Sequence, residues 1–500
     1  MTRDTSVAMT ERTRAALCDL LVRDDGQEDL CLALYRPSAG QRRTTALIQQ
    51  PLAPREGERA VHGNVTVTGE YILRGAEMAS AEQCGLVLLH SHPGGRGWQA
   101  MSGPDRDTEA SYANLVREMT GLPLVGMTLG GGDRSWSARH WDHGVGRSVA
   151  PTECTNVRVI GDRLTVTWND RVVPAPAANH RQKRTVTAWG GAVQADLARR
   201  RVLVIGAGSV GLDVAIRLAA SGLVNITIMD FDLVEERNLD RLIGATRRDV
   251  SLRRTKIHVA SREAHRNATA DRPQIRVSDL SICEPDGLLE ALDHDIIFCC
   301  VDRPWPRAVL NTMAYTDLVP VIDGGIAIDT HPDGTMRNAT WRSHVVRPGR
   351  PCMVCTRQID MGQVALDVQG LLDDASYIAG TDNQNPSGQN VAPLSISVTA
   401  ALLAQYVSLS VAPGGIGDPG PLQYVLSTHD LHHLDHSSRA GCMYEVAEPE
   451  GDRRQDLTGS HAAAESARAR AAAVPGLTKV RRRLDDVLVR MTQGHGSLGP

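Results

Sequence analysis

The chain has 500 residues, 42% of them hydrophobic, and a formal net charge of −4 at pH 7. This size predicts about two to four domains with ample core, and the small negative charge gives no indication of a nucleic-acid partner. The sequence has no long uninterrupted apolar run and no charged-then-apolar leader at Met1, so we expect neither a membrane span nor export. Its ten cysteines lie mainly in predicted strands or in one C-x-x-C pair, which favours a reducing, cytoplasmic location.

Residues 1–150 are expected to form a separate α/β unit. Its predicted helices cover residues 10–22 and 108–120, and its predicted strands cover 29–35, 44–50 and 84–90.

The chemistry of this unit is expected in the segment HSHPGGRGWQAMSGPD, residues 90–105. His90 and His92 alternate at the end of an apolar strand, so both rings project to the same side, and Asp105 can complete a facial set of three ligands. Such a set leaves the fourth tetrahedral position of Zn²⁺ open for water, as a catalytic site requires. Ser102 is placed to donate a hydrogen bond to a developing oxyanion.

The pattern H-x-H-P followed by S-x-x-D resembles the motif of the JAMM/JAB zinc metalloproteases. The resemblance implies cleavage of isopeptide or peptide bonds after a ubiquitin-like C-terminus. The spacing from His92 to Asp105 is longer than the usual one, with the extra length in the Gly94–Gly97 loop, where an insertion is tolerated.

The same resemblance implies a catalytic glutamate that takes a proton from the zinc-bound water. In that family it usually lies at the start of an upstream apolar strand, and Glu28 in QEDLCLALY fits this place. Glu70 and Glu77 are the alternatives.

Residues 151–179 are expected to be a linker. A short hairpin, 156–160 and 164–168, is followed by the Pro- and Ala-rich sequence VPAPAAN.

A glycine turn follows the apolar strand RVLVI that begins at Arg201. Gly206, Gly208 and Gly211 form a G-x-G-x-x-G turn ahead of an amphipathic helix, where backbone N–H groups and the helix N-terminus can hold a phosphate. The next strand ends at Asp230, whose carboxylate can accept hydrogen bonds from a ribose. These features by themselves indicate a nucleotide-binding site.

The sequence of the loop after Asp230 distinguishes between two classes of nucleotide-binding enzyme. Asp232, Asn238 and Arg241 lie in this loop, and Lys256 follows on the next segment. An NAD(P)-dependent oxidoreductase, the alternative, has little use for these groups, whereas an enzyme that splits ATP between its α- and β-phosphates needs cations to neutralise the leaving pyrophosphate.

This arrangement resembles the ThiF/MoeB-like adenylyltransferases of the ubiquitin-activating superfamily, over residues 180–447. Their D-x-D-x-V-x-x-x-N-L-x-R signature is present in full from Asp230 to Arg241. The resemblance implies a Rossmann-like doubly wound domain that uses ATP and Mg²⁺ to adenylate the C-terminal glycine of a ubiquitin-like or sulfur-carrier protein. It also implies that Asp302 binds Mg²⁺, although Arg303 replaces the usual Asn.

Further implications concern neighbouring residues and the oligomer. Arg307 and Asn311 keep the helical spacing of the family, and the family forms homodimers in which an Arg reaches the partner's ATP. Arg181 and Arg184 are the two candidates for that Arg.

Cys352 and Cys355 correspond to half of the family's structural zinc site. The second pair is reduced to Cys442 and Glu445, so a site with three thiolates and Glu445, His433 or His436 is one interpretation, and loss of the metal is the other. No cysteine lies between Thr356 and Cys442 to form a thioester, so any covalent transfer would have to use Cys352, Cys355 or Cys442.

Residues 448–500 are expected to be a mobile tail with a terminal helix. The sequence therefore predicts a JAMM-type zinc isopeptidase fused to a ThiF-like adenylyltransferase, with a carrier protein as substrate. A catalytically inactive scaffold of the same fold is the non-enzymatic alternative.

Overall fold

The computed structural model describes residues 3–62, 64–143, 149–373, 389–434 and 436–476, together with positions 478, 480–482 and 484. The strands β1 to β19 are, in chain order, Asp4–Thr10, Leu30–Ala39, Arg43–Leu52, Arg59–His62, Asn64–Val67, Gly85–His92, Leu124–Gly130, Ser135–His143, Val149–Glu153, Asn156–Ile160, Leu164–Trp168, Arg201–Ile205, Asn225–Met229, Gln274–Ser278, Ile296–Cys299, Val321–Thr330, Met336–Val346, Leu422–Val425 and Asp430–His433. The helices α1 to α14 are Glu11–Leu21, Gly69–Ala81, Gly103–Thr120, Lys183–Trp189, Gly191–Arg199, Ser209–Ala220, Arg247–Ser251, Lys256–Asn267, Pro285–Ala291, Pro304–Thr316, Met361–Val368, Ala392–Val411, Met443–Val446 and Ala462–Ala472.

The first sheet has nine strands in the order β11-β10-β1-β3-β2-β6-β7-β8-β9. The predicted strands of this region are present as β2, β3 and β6, and both predicted helices are present as α1 and α3. Apolar side chains are buried on both faces of the sheet, with α1 over one face and α2 and α3 over the other.

The predicted linker hairpin belongs to this sheet. β10 pairs in parallel with β1, through partners such as Val7 and Val157, and β11 pairs with β10. The first sheet therefore runs on to Trp168, beyond the boundary predicted at residue 150, because the alternating apolar residues of β10 complete its edge.

The second sheet has eight strands in the order β14-β13-β12-β15-β16-β17-β18-β19. The strands from β14 to β16 are parallel, and the rest are antiparallel. This is the predicted α/β Rossmann-like arrangement, in which short apolar strands alternate with amphipathic helices. β12 and β15 are neighbours at the centre, where the strand order reverses and a ligand cleft is expected.

One helix among the described residues, α12, is long and apolar enough to cross a membrane by length and composition. Its side chains Val398, Leu402 and Leu409 are buried in the core of the second sheet. This placement is that of a core helix.

The two sheets share a core. Ala8, Leu47 and Ile160 of the first sheet belong to the same buried cluster as Val202 and Val204 of the second. The first domain is therefore packed against the second rather than separated from it by the predicted linker.

A buried ion pair joins the domains at this contact. Arg43 Nη1 lies 2.5 Å from Asp295 Oδ1, and the side chains are 1% and 0% exposed. Arg43 also donates to the backbone carbonyls of Leu292 and His294. Burial alone would raise the pKa of Asp295, but the charges of Arg43 and Arg158 lower it to about 2.

The turn before Arg43 fits closely against the same loop. Backbone N–H groups of Arg42 and Arg43 donate to Asp293 Oδ1 at 2.9 and 3.0 Å. A Cβ on Gly40 would lie 2.3 Å from that oxygen, so a larger residue at this position would push the domains apart.

Residues 448–476, which we call the C-terminal belt, also differ from the expected mobile tail. Asp452 Oδ1 accepts a hydrogen bond from Ala39 N at 2.9 Å, and Arg454 Nε donates to Asp317 Oδ2 at 2.9 Å. The belt thus contacts both domains because its charged residues find partners on each, and it includes the predicted terminal helix as α14.

We expect Arg43→Ala to lower the free energy of unfolding by about 3–5 kcal/mol, because it leaves the Asp295 carboxylate buried without its main partner. Urea denaturation followed by circular dichroism measures this loss. Arg42→Ala is the matched control, since the Arg42 side chain is 48% exposed and lies 3.6 Å from Asp293, and its effect should stay within about 1 kcal/mol. Equal losses in the two variants would contradict the assignment.

Candidate functional site

The glycine turn between β12 and α6 packs closely against its neighbours and leaves its backbone accessible to a ligand. A Cβ on Gly206, whose φ is +92°, would lie 2.7 Å from Cys300 O, and a Cβ on Gly211 would lie 1.8 Å from Gly206 O. A Cβ on Gly208 would meet nothing within 4 Å. Gly206 and Gly211 are therefore required by packing, whereas Gly208 faces open space at the N-terminus of α6, where a phosphate can approach.

Asp230 lies beside this turn at the end of β13. Its carboxylate accepts hydrogen bonds from Ala207 N at 2.6 Å and from Asp232 N at 2.7 Å. These bonds fix the side chain in the position where a ribose-binding acid is expected.

Lys256 meets the two aspartates from the start of α8. Its Nζ lies 2.7 Å from Asp232 Oδ2, and its backbone N–H donates to Asp232 O at 2.8 Å. Burial alone would lower the pKa of Lys256, but the charges of Asp230, Asp232 and Asp302 raise it. Lys256 is thus held as a cation next to the glycine turn.

Asp302 is exposed after β15, at the carboxyl edge of the sheet. A carboxylate there has the oxygen chemistry that Mg²⁺ prefers. Its charge also acts on Arg307, a buried side chain that donates to Asp323 Oδ1 at 3.1 Å.

Asp323 and Arg342 were missed by the sequence analysis. Asp323 is fully buried in β16, and its second carboxylate oxygen lies 3.6 Å from Arg342 Nε. Two arginines thus meet one buried carboxylate beside the end of β15. No motif marks these positions, since Asp323 sits within an apolar strand and Arg342 on the antiparallel partner strand β17.

Asn238 and Arg241, which are also predicted to bind the nucleotide, interact with residues of their own loop. Asn238 Oδ1 accepts a hydrogen bond from Glu235 N at 2.9 Å, and Arg241 pairs with Asp240 at 2.8 Å. The structure places Arg241 in a local ion pair, so it would have to leave Asp240 in order to bind a phosphate.

The two candidate arginines for the dimer contact lie on the surface. Arg181 pairs with Asp271 at 2.5 Å, with both side chains partly exposed. Arg184 is exposed on α4.

His90, His92 and Asp105 come together in the first domain as predicted. Their ligand atoms all lie within 4.8 Å of one another. His90 Nε2 is 3.2 Å from His92 Nε2 and 3.6 Å from Asp105 Oδ2. Two imidazole nitrogens and one carboxylate oxygen at these separations fit the facial donor set of a catalytic zinc site.

The surroundings keep His90 neutral, which is the form that binds a metal. Burial, and then the charge of Arg139, lowers the pKa of His90 to about 3. Arg139 is held by Glu109 and donates to Thr128 Oγ1 at 2.9 Å.

Glu28 lies beside His92 because of the strand register. β2 and β6 pair Leu30 with His90, and Ser91 N donates to Asp29 O at 2.9 Å, which carries the pairing one residue further. The pKa of His92 is raised, first by its interaction with Asp105 and further by the charge of Glu28.

The alternative glutamates have different surroundings. Glu70 is exposed in the first turn of α2, where its interactions with its own backbone and with Thr68 lower its pKa. Glu77 is exposed further along the same helix. Of the three candidates for the catalytic glutamate, Glu28 is therefore favoured by its position next to the histidine pair.

Ser102 caps α3 and thereby orients Asp105. Asp105 N donates to Ser102 Oγ at 3.2 Å, and Ser102 N donates to Asp105 Oδ2 at 2.9 Å. The longer loop before it packs on the turn after β7, where Gly97 N donates to Asp133 Oδ2 at 2.9 Å. The extra residues are accommodated there, so they do not keep Asp105 from the histidines.

Cys352, Cys355 and Cys442 form a second cluster of ligand atoms. Cys442 Sγ lies 3.7 Å from both Cys352 Sγ and Cys355 Sγ. Tetrahedral Zn–S bonds of about 2.3 Å require sulfur separations of about 3.8 Å, so the thiols fit a zinc ion. Burial raises the pKa of Cys352 to about 12.

The described residues place none of the predicted fourth donors, Glu445, His433 and His436, in this cluster. Within the described residues, the set of atoms that lie within 4.8 Å of one another contains only the three thiols. Glu445 instead accepts a hydrogen bond from Ser438, and His433 is exposed at the end of β19.

Residues 180–422 match the model of the ThiF family. The molybdopterin-synthase adenylyltransferase of Escherichia coli (strain K12) is 29% identical over 176 residues, which cover 35% of this chain and 64% of that protein. The adenylyltransferase and sulfurtransferase UBA4 of Yarrowia lipolytica is 28% identical over 173 residues, which cover 34% of this chain and 39% of that protein. The aligned segments thus span less than two thirds of these relatives.

The crystal structure of E. coli MccB with ATP aligns over 54% of this chain and 75% of that chain, at 20% identity and a TM-score of 0.41. The family match and the sequence relatives support a ThiF/MoeB-like adenylyltransferase domain, and because the family match begins at residue 180 it does not bear on the first domain.

We expect the purified chain to hold zinc at both clusters, since each has a donor set suited to it. His92→Ala should remove one zinc ion per chain and Cys442→Ser the other, as measured by inductively coupled plasma mass spectrometry after desalting. His62→Ala, an exposed histidine on β4, should change nothing. Unchanged zinc content in His92→Ala would show that the histidine pair does not bind the metal.

Proposed function

We propose, from the ThiF-family domain at residues 180–422, that the second domain adenylates the C-terminal glycine of a ubiquitin-like or sulfur-carrier protein. The observation that carries this proposal is the position of Lys256, a half-buried cation that pairs with Asp232 and feels the charges of Asp230 and Asp302. The names of the relatives, which are adenylyltransferases, agree with it.

Each residue has a part in this reaction. The N–H groups at Gly208 hold the phosphates, and Asp230 accepts hydrogen bonds from the ribose. A carboxylate oxygen of the carrier glycine attacks the α-phosphorus, the bond to the β-phosphate oxygen breaks, and pyrophosphate leaves. Lys256 and Arg241 neutralise the charge that develops on pyrophosphate.

Asp302 would hold Mg²⁺, which when bound neutralises phosphate charge. The exposed carboxylate at the carboxyl edge of β15 suits this hard cation. Hydride transfer with NAD(P) is the weaker candidate, because it gives no role to the pair of Lys256 and Asp232 beside the ribose-binding acid Asp230.

We propose that the first domain is a zinc-dependent isopeptidase of the JAMM type that cuts after the carrier C-terminus. His90, His92 and Asp105 would hold the zinc, which when bound supplies an activated water. Glu28 takes the proton of that water and passes it to the leaving amine. The Ser102 hydroxyl donates to the oxyanion, while its backbone keeps Asp105 in place.

We further propose a cytoplasmic homodimer through the adenylyltransferase domain. The support is the resemblance to that family and the exposure of Arg181 and Arg184 on the first segment of the domain. The catalytically inactive scaffold remains the competing proposal, and activity measurements separate the two.

Adenylation should depend on cationic charge at the pyrophosphate. Lys256→Ala and Arg241→Ala should each slow carrier-dependent ATP–pyrophosphate exchange by about 30- to 1000-fold, since each removes about 2–4 kcal/mol of transition-state stabilisation. Arg237→Ala is the control, because Arg237 lies in the same loop but is 80% exposed and pairs with Glu235. Exchange at the wild-type rate in both variants would contradict the phosphate assignment.

Cleavage should be a separate activity. A carrier encoded by a neighbouring gene, fused through its C-terminal glycine to a reporter, should be cut by the wild type and by the control Glu77→Ala. Glu28→Gln should slow cleavage by about 10²- to 10⁴-fold with zinc retained, whereas His92→Ala should lose cleavage together with zinc. A zinc-loaded wild type that cuts no such fusion would overturn the peptidase proposal while leaving adenylation untouched.

A further inference from the structure

The C-terminal belt crosses the second domain from one edge of its sheet to the other. It starts near Asp317, which precedes β16 at the amino edge. It then reaches the carboxyl edge, where Leu457 O accepts a hydrogen bond from Trp305 Nε1 at 2.8 Å and Gly459 N donates to Cys283 O at 2.8 Å.

His461 is the belt residue that lies between three segments of this edge. Its ring centroid lies 5.2 Å from that of Phe231 and 5.2 Å from that of Trp305. Its Nδ1 is hydrogen-bonded to Ser281 Oγ at 2.8 Å. Phe231 follows β13, Ser281 follows β14 and Trp305 follows β15, so one side chain touches three loops at the carboxyl ends of parallel strands.

These loops surround the place where the base of a bound nucleotide is expected. Ligands of open α/β sheets bind outside the carboxyl ends of the strands, and the acid after the second strand binds the ribose. Phe231 is the residue directly after that acid, Asp230. With the phosphates at Gly208 on one side of the ribose, the base extends to the other side, toward Phe231 and the belt.

We propose that the C-terminal belt completes the nucleobase subsite, with the His461 and Phe231 rings as the wall against which the base packs. This inference rests on the proposed adenylation, since it assumes that the second domain binds ATP. Bases pack on aromatic side chains through their π faces, and an imidazole already fixed by Ser281 and Trp305 loses little freedom on binding.

Hydrogen bonds hold the belt against the second domain on both sides of His461. Arg468, in α14, donates to Glu284 Oε2 at 2.8 Å and to Asp279 O at 3.1 Å. Both partners lie in the loop after β14, the same loop that holds Ser281. The position of His461 is therefore fixed by the belt as a whole rather than by one contact.

Isothermal calorimetry with MgATP and no carrier tests the inference on the full chain. His461→Ala should weaken ATP binding by about five- to fiftyfold and raise the KM for ATP in pyrophosphate exchange, while kcat at saturating ATP stays within about threefold. His461→Phe keeps a ring and should bind within about threefold of wild type. Ser460→Ala is the control, because the Ser460 hydroxyl donates to Glu465 Oε1 at 2.7 Å, within the belt itself.

Each result that contradicts these expectations rejects a different part of the proposal. If His461→Ala binds ATP as tightly as wild type, the belt is not part of the subsite, and if it binds more tightly, the belt occludes the site instead. If the wild type binds no ATP at all, the proposed adenylation itself fails.

A second measurement needs no variant and covers the case in which His461→Ala does not fold. MgATP should slow trypsin cleavage after Arg470, which is exposed in α14, because a bound base holds the belt against the sheet. Mass spectrometry of the released fragment follows this rate. Cleavage at an equal or higher rate with MgATP would overturn the inference.

Discussion

The buried ion pair between Arg43 and Asp295 is the interaction on which the arrangement of the two domains depends. Both charges are removed from water, so their desolvation is offset only while each keeps the other and the surrounding hydrogen-bond donors and acceptors. The pair lies at the amino end of β15, next to a core that the two sheets share. The ion pair therefore acts together with that core to hold the first domain at the amino edge of the second sheet, away from the carboxyl edge where the ligand is expected.

The second sheet is consequently used at both edges. The turn before Arg43 packs at the amino ends of its parallel strands, whereas Gly208, Asp230 and Lys256 lie at their carboxyl ends. A parallel sheet makes this division possible, because all the loops that follow its strands meet at one edge. The belt joins the two edges, so a segment that contacts the first domain at Ala39 also reaches the proposed nucleotide subsite at His461.

The first domain assembles its candidate metal site by combining elements that are distant along the chain. The end of β6 supplies both histidines, the capped start of α3 supplies Asp105, and the register of β2 against β6 brings Glu28 alongside. Burial, and then the positive charge of Arg139 from β8, lowers the pKa of His90 and keeps that ring neutral. The same fold thus positions the candidate ligands and sets the protonation state that binding of a metal requires.

The sequence by itself determined the features that depend on close neighbours along the chain. The glycine turn, the acid after β13 and the alternation of His90 with His92 follow from spacing and backbone geometry, and the Rossmann-like fold that they predicted is confirmed. The addition of the predicted β10–β11 hairpin to the first sheet, the pairing of Asp323 with Arg342 and the course of the belt were decided by the tertiary structure. The reason is physical: a strand of alternating residues does not specify its partner, and a charged residue in a chain with 54 Lys and Arg and 58 Asp and Glu does not specify its counterion. Only the packing of the two sheets brings Arg43 to Asp295, and only the path of the belt brings His461 to Phe231.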